Sequence, residues 1–343
     1  MSVRTILILA VLAAVAVVAA AIALGTDQSA DQNPRIGTLV FPDLNDRAND
    51  VATLKVESGH GTLTLQRADG AWTLKESDGY PVVPVKANGS VLDLATLRFH
   101  EPKTERPEKY AKLNLLDFDA PGSGSTRVTV QDSAGAMLAE LLLGNSKFNL
   151  PGTKTGGIYL RLPGEQRAWL AAGGLNLSGL PGDWLEPTVL HVAGARIKRT
   201  EIRRPQGPPV VITKRNPKTL VYTLDGVPAG YKVRYDEEPK LIATNLEAFE
   251  LEDARRRGAI EFDPARTTRT LFETFDGLQV VAETTAIDGK YWTRFSASAS
   301  AGSQAGGEAD AINEATKGWV FRVADYRGER LTKRFEEMLA PGN

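Results

Sequence analysis

The stretch TRVTVQDSAG, residues 126–135, is the clearest guide to how this sequence folds. Its apolar and polar residues alternate before a turn signal, which is typical of a β-strand with one face on a core. A similar stretch, TRTLFETFDG, occupies residues 268–277 with an offset of 142. The recurrence of one strand sequence pattern suggests a duplicated module.

Other short phrases repeat in the same order. GYPV at 79–82 is matched by GYKV at 230–233, and FDAP at 118–121 by FDPA at 262–265. Tyr80 with Tyr231, and Trp169 with Trp319, therefore serve as structural marks of a repeat. The offsets differ by a few residues, as loop insertions would cause. Two unrelated β-rich domains with chance matches remain the alternative.

These patterns predict an α+β fold of two tandem related modules dominated by antiparallel β-sheet, residues 51–188 and 189–343. Each is expected to contain three strands, the GY segment, one main helix and four further strands. The helices are predicted in ANGSVLDLATLRF (87–99) and DEEPKLIATNLEAFELEDARRR (236–257). Residues 296–316 form an insertion in the second module whose composition predicts a flexible loop.

Residues 6–24 contain nineteen consecutive residues without a polar side chain. As a helix they would cover roughly 28 Å, close to the hydrocarbon thickness of a bilayer. We expect a transmembrane anchor in the inner membrane, preceded by a cytoplasmic n-region (1–5) and followed by a polar linker (25–50). Arg4 before the span and acidic residues after it favour a periplasmic soluble part. A cleaved signal peptide is the alternative.

The composition argues against several classes of function. The chain has 41 basic and 42 acidic residues, so no overall field attracts nucleic acid. It contains no cysteine, which removes disulfides, thiolate nucleophiles and cysteine-ligated metals. We therefore expect no nucleic-acid partner.

No catalytic, cofactor-binding or metal-binding residues can be assigned. His60, His100 and His191 lack the spacing of metal ligands. GTKTGG (152–157) lacks the order of residues that a phosphate-binding loop requires, and no Gly-x-Ser-x-Gly elbow occurs. The sequence predicts a protein that is not an enzyme.

Several of these stretches resemble a known family. GAWTLKESDGYPV (70–82) before a helix, YAKLNLLDFDAP (110–121), the TRVTV strand and LLLGN (141–145) are similar to the bacterial domain-of-unknown-function family DUF4340. Asn114 stands about where that family's pattern has glycine. The resemblance implies a membrane-anchored envelope protein associated with ABC-type transport systems of the gliding-motility type. It supplies no catalytic residues.

Two groups of residues are candidates for binding a partner. Arg255, Arg256 and Arg257 end the second predicted helix, where they form either a solvated helix end or a docking patch for an acidic partner. In the last predicted helix, GERLTKRFEEMLAP (328–341), Leu331 and Phe335 lie on one face, which packs on its own sheet or binds a partner.

The expected function is that of a non-enzymatic periplasmic auxiliary or scaffold subunit, with a protein partner such as an ABC permease. One alternative is a membrane-anchored module that binds a glycan, peptide or lipid, for which Tyr80 and Tyr231 would be exposed. The structural interpretation has both tyrosines covering the core where a strand leads into a helix. A third possibility is an unrecognised hydrolase.

Overall fold

A computed structural model describes residues 33–175 and 177–342. Antiparallel β-sheet dominates and a few short helices accompany it, which confirms the α+β class. The predicted n-region (1–5) and membrane anchor (6–24) lie outside the described residues. Within the two described ranges, no helix combines the length and apolar character needed to cross a bilayer.

The chain packs as two units. The first comprises the residues up to Trp72 together with Pro84–Gly179, and the second comprises Thr73–Val83 together with the residues from Leu180 onward. The division therefore falls nine residues before the predicted boundary at 188–189, and a short piece of the N-terminal half belongs to the second unit.

The first large sheet has nine strands in the order β4-β3-β2-β1-β6-β7-β8-β9-β5. Its strands are β1 (Val51–Ser58), β2 (Gly61–Ala68), β3 (Ala71–Leu74), β4 (Tyr80–Pro81), β5 (Arg98–Pro102), β6 (Thr126–Asp132), β7 (Met137–Lys147), β8 (Gly157–Arg161) and β9 (Ala168–Ala172). The α-helices described between residues 33 and 175 are α1 (Pro42–Asp46), α2 (Pro84–Thr96) and α3 (Tyr110–Leu113).

The second large sheet has eight strands in the order β13-β12-β11-β17-β18-β19-β20-β16. The strands from β10 onward are β10 (Thr188–Leu190), β11 (Ile197–Arg203), β12 (Val210–Thr213), β13 (Thr223–Leu224), β14 (Tyr231–Val233), β15 (Phe249–Glu250), β16 (Asp253–Arg256), β17 (Thr268–Thr274), β18 (Leu278–Ile287), β19 (Lys290–Ala299), β20 (Trp319–Val323) and β21 (Leu339–Pro341). β10 pairs with β15, and β14 with β21. The helices are α4 (Glu238–Ala243), α5 (Gly306–Thr316) and α6 (Asp325–Leu331).

The two large sheets share an order of connections. Successive strands first run outward to one edge, β1 to β4 in the first sheet and β11 to β13 in the second. The chain then supplies a short strand at the opposite edge, and four strands fill the space between. Both sheets also carry an irregularity in the same pairing: between Val51 and Thr53 where β1 meets β6, and between Ile197 and Arg199 where β11 meets β17.

The predicted polar linker is partly structured. Gly37 and Val40 donate backbone hydrogen bonds to Phe99 and Leu97, at 2.7 and 2.8 Å, and helix α1 follows with a fully buried Leu44. The prediction of a tether was wrong for this part of the chain. β5 is an edge strand whose outward backbone groups need partners, and the 37–40 segment supplies them.

The prediction of a helix over residues 236–257 was wrong beyond the first turns. Helix α4 ends at Ala243, and Ala248 has a left-handed φ of 45°. From Phe249 onward, buried and more exposed residues alternate, which is the period of a strand. Ile242, Leu246, Phe249 and Asp253 fit a helical face as well, but the burial of Leu251, two residues after Phe249, fits only the strand period.

The predicted flexible insertion, residues 296–316, instead completes β19 and forms α5. The helix buries Ala309, Ile312 and Thr316 on one face. The Asn313 side chain bonds the backbone N–H and C=O of Ala297, both at 2.8 Å. The composition of this segment is that of a linker, but the spacing of its few apolar residues suits a helix packed on a sheet.

Burial of aromatic side chains stabilises the first unit. The Phe99 ring is buried, with its centroid 4.6 Å from that of Trp169 and the Arg35 guanidinium 4.3 Å above it. Phe99 is therefore placed to contribute both apolar burial and ring contacts.

We expect Phe99→Ala to lower the free energy of unfolding by about 3–5 kcal/mol, because it leaves a cavity in a packed core. Urea denaturation followed by tryptophan fluorescence measures this. Phe148→Ala is the matched control: Phe148 lies in the same unit but is 92% exposed, so its removal should change stability by less than about 0.5 kcal/mol. Equal effects would contradict the assignment of Phe99 to the core.

Candidate functional site

The three candidate arginines do not end a helix. Arg255 and Arg256 lie on β16, the edge strand of the second sheet, and Arg257 follows it. Helix α4 ends a dozen residues earlier, so these cations cannot complement its C-terminus, and the prediction of a solvated helix end was wrong.

A buried carboxylate organises this edge. Asp253 is 2% exposed, and its Oδ1 accepts hydrogen bonds from Ser77 Oγ at 2.6 Å, Ala254 N at 2.8 Å and Arg255 Nη1 at 2.6 Å. A buried carboxylate is stable only with such partners. Arg255 therefore neutralises a buried charge within its own unit.

Arg256 is held by its backbone and by its side chain. Its N–H donates to Asp78 Oδ2 at 2.8 Å, and its guanidinium lies 3.9 Å from the centre of the Trp319 ring. Tyr80 packs against the same tryptophan: its ring meets Trp319 edge-on, with ring centroids 4.8 Å apart, and Phe321 at 6.1 Å. Burial raises the pKa of the Tyr80 hydroxyl, as expected for a ring packed on a core.

The four repeat marks lie where the sequence places them along the chain but differ in burial. Tyr80 lies on β4 before α2, and Tyr231 on β14 before α4. Trp169 lies on β9 and is buried, whereas Trp319 lies on β20 and is only partly buried. Tyr80 is 9% exposed and Tyr231 is 52% exposed, so the two tyrosines do not have the same environment.

Tyr231 belongs to an exposed segment with two other large apolar residues. Tyr235 is 64% exposed and Leu241 is 43% exposed, and all three lie between β14 and the end of α4. We call residues 231–241 the exposed aromatic segment. Isolated exposed apolar residues are normal, whereas a contiguous exposed apolar patch marks a surface that binds a partner.

The last predicted helix is shorter than expected, and this separates Leu331 from Phe335. Helix α6 ends at Leu331, which is fully buried, and the chain continues through a single turn of 3-10 helix, Glu336–Met338, into β21. The prediction of one face carrying both residues was therefore wrong. Phe335 is half-buried and lines a cavity instead.

Two cavities of the second unit share the same three arginines. One, of about 370 Å³, is lined by Phe335, Glu336 and the 204–208 loop, and the other, of about 500 Å³, by Tyr291, Thr268, Thr284 and Lys333. Arg204, Arg266 and Arg334 line both. We call the two cavities together the arginine cleft.

Sequence reasoning missed this cleft. Arg204 begins the RPQGPP loop and Arg266 follows the FDPA step, so the two are 62 positions apart, and neither lies in a recognised motif. The available signal was an arginine beside a glycine- and proline-rich loop, which is where binding residues often occur. That signal is too common to single out these two.

The second unit also contains a buried lysine, away from the arginine cleft. Lys214 is 4% exposed, and its Nζ donates to the backbone oxygen of Ala195 at 2.6 Å and lies 3.4 Å from the Tyr222 hydroxyl. Burial lowers the pKa of Lys214 and raises the pKa of Tyr222 to about 12. Tyr222 in turn donates to Gly194 O at 2.5 Å, so the pair holds a turn in place.

The histidines are not gathered into a site. His191 Nδ1 accepts a hydrogen bond from the backbone N–H of Ala248 at 3.0 Å, and so stabilises the turn after α4. In the described part of the chain, no group of three or more histidine and acidic side chains is arranged to hold a metal ion.

Comparison with known families shows where this chain belongs. Residues 72–282, more than half of the chain, match the family described as "Domain of unknown function (DUF4340)". The chain belongs to the DUF4340 family. The resemblance stated from the sequence is thereby confirmed. No curated protein and no solved structure matches this DUF4340 chain.

Loss of the Asp253 charge tests the organisation of the β16 edge in this DUF4340 protein. We expect Asp253→Asn to lower the free energy of unfolding by about 3 kcal/mol or more, because it breaks a buried ion pair with Arg255. Chemical denaturation measures the change.

Asp236→Asn is the matched control, since Asp236 is exposed on the surface of the same unit. It should change stability by less than about 0.5 kcal/mol. A loss at Asp253 no larger than at Asp236 would contradict the role given to the buried carboxylate.

Proposed function

We propose that this DUF4340 protein is a non-enzymatic auxiliary or scaffold subunit of an ABC-type membrane transport system. It is anchored in the inner membrane by residues 6–24, with its sheets in the periplasm. The nineteen-residue apolar stretch supports the anchor. Membership of the DUF4340 family is compatible with this function but does not by itself supply one.

The observation that carries the proposal is the exposed aromatic segment. When a partner covers exposed tyrosine and leucine side chains, each Å² of buried apolar surface contributes about 25 cal/mol of favourable free energy. Tyrosine is also among the residues most enriched at binding hot spots. The burial of Tyr80 on Trp319 within the second unit illustrates what a tyrosine in a GY phrase gains from an aromatic partner.

We also propose that the two units are related modules produced by duplication. The shared strand order supports this, and so does the irregularity at the same point of the β1–β6 and β11–β17 pairings. At these irregularities Val51 pairs with Asp132, and Ile197 pairs with Thr274. Asp132 and Thr274 are 142 residues apart, which is the offset between the two TR stretches.

A second candidate function, an anchored binding module, is favoured by the arginine cleft. Cavities of this size lie in the range of small-molecule sites. Tyr80, proposed from the sequence as an exposed contact for a ligand, is buried and does not support this function.

Co-purification tests the scaffold function. The tagged full-length chain, solubilised in mild detergent, should recover a permease or ATPase subunit. Tyr231→Ala with Tyr235→Ala should lower that recovery about tenfold or more, because truncating two hot-spot tyrosines costs more than 1 kcal/mol each.

Tyr326→Ala is the matched control, since Tyr326 is 50% exposed on α6 of the same unit, outside the exposed aromatic segment. It should leave recovery unchanged. Recovery of the protein always alone would contradict the scaffold function, and equal effects of all the tyrosine changes would contradict the assigned surface.

Fractionation tests the anchor. The full-length chain should stay in the membrane pellet after alkaline carbonate washing. Removal of residues 2–24 should move it to the soluble fraction, since alkaline carbonate strips proteins that are held on the bilayer only through a partner. Mass spectrometry of the membrane form should give the intact N-terminus. A soluble periplasmic form that begins near residue 25 would contradict the anchor and favour a cleaved signal peptide.

A further inference from the structure

The charges of the arginine cleft are unbalanced. In the smaller cavity Arg204, Arg266 and Arg334 face a single acidic residue, Glu336. The larger cavity adds Lys333 to the same arginines, against Glu329 and Glu337. Cations outnumber carboxylates in both cavities, in a chain whose overall charge is −1.

Two of these cations have no carboxylate partner. Lys333 pairs with Glu238 at 2.7 Å, and Arg334 lies 4.0 Å from Glu337. Arg204 and Arg266 take part in none of the ion pairs found among residues 33–175 and 177–342. Several other arginines of this unit, such as Arg196 and Arg199, pair with glutamates.

Both unpaired guanidinium groups are oriented by backbone carbonyl groups. Arg204 donates from Nη1 to the carbonyl of Thr332, the residue that follows α6, and Arg266 donates from Nη2 to Ala286 O at 3.5 Å. Each contact uses one of five N–H donors and leaves the others for a ligand. The Arg204 side chain, which the closer contact holds, loses less conformational entropy on binding.

The cleft has the chemistry of an oxyanion site. The planar fork of a guanidinium matches carboxylate and phosphate oxygens and binds them through two parallel hydrogen bonds. Threonine and tyrosine side chains also line the larger cavity, and Pro205, Pro208 and Phe335 give the smaller one apolar walls. Volumes of about 370 and 500 Å³ exceed what a single inorganic ion fills and suit an organic molecule.

We propose that the arginine cleft binds a small organic anion with two phosphate or carboxylate groups. Because the three arginines line both cavities, one ligand can place an anionic group in each and contact the same guanidinium groups from both sides. The shared chemistry is that of an oxyanion. This inference does not depend on the scaffold function, since the exposed aromatic segment contributes no residue to either cavity.

Titration calorimetry on the detergent-solubilised full-length chain tests the proposal. Fructose 1,6-bisphosphate and succinate are the probes, and sucrose is the uncharged comparison. We expect saturable binding of at least one anion and none of sucrose; the tighter anion identifies the group that the cleft prefers. Raising the salt concentration should weaken the binding, because the contacts are between charges.

Arg266→Glu is the decisive variant. Arg266 is exposed and makes only the 3.5 Å contact, so the variant should fold, which circular dichroism checks. We expect its affinity for the anion to fall about tenfold or more, since hydrogen bonds to charged groups contribute about 1.5–3 kcal/mol.

Arg269→Glu makes the same change of charge three residues along the chain, at an exposed position outside both cavities. Its affinity should stay within about twofold of the unchanged protein. Absence of binding to both anions, or an equal loss in the two variants, would overturn the proposal. Neither result bears on co-purification through the exposed aromatic segment.

Discussion

Each large sheet of this protein must satisfy the backbone groups of a short strand at one edge. β5 and β16 occupy these positions, and their outward N–H and C=O groups would otherwise lose hydrogen bonds. In the first unit, backbone groups of residues 37–40 supply partners for β5. In the second, the carboxylates of Asp253 and Asp78 accept from the N–H groups of β16. Helix α1 follows the 37–40 segment directly, and the Asp253–Arg255 pair and the contact of Arg256 with Trp319 lie at the β16 edge.

The regular parts of the sheets could be predicted from the sequence, because alternation of apolar and polar residues is a local property. β6 and β17 lie where the TR phrases place them. The apolar spacing of residues 87–99 correctly predicts a helix, but α2 begins earlier, at Pro84, and ends at Thr96, before β5. The region after α4 could not be predicted in the same way. Ile242, Leu246 and Phe249 fit a helical period, whereas Phe249 and Leu251 fit a strand period, so the spacing alone supports both; in the structure β16 pairs with β20.

Roles of single side chains were less predictable than elements, since they depend on residues far away in the sequence. The interpretation of Arg256 as part of a docking patch rested on its neighbours, whereas its backbone partner, Asp78, is 178 positions away. Tyr80 and Tyr231 share a phrase and a position before a helix, yet one is buried and the other exposed. A short sequence motif determines the local turn, but residues far away in the sequence determine whether the turn is buried. The arginine cleft was missed for the same reason.

The carboxylate caps on β16 also bear on aggregation. An uncovered edge strand is a template on which another chain can add as a further strand. Here an incoming strand would first have to displace Asp253 and Asp78 from the N–H groups that it needs, and would bring its own carbonyl groups against two negative charges. Backbone pairing at β5 is specific to the 37–40 segment, whereas the β16 edge resists any strand, whatever its sequence.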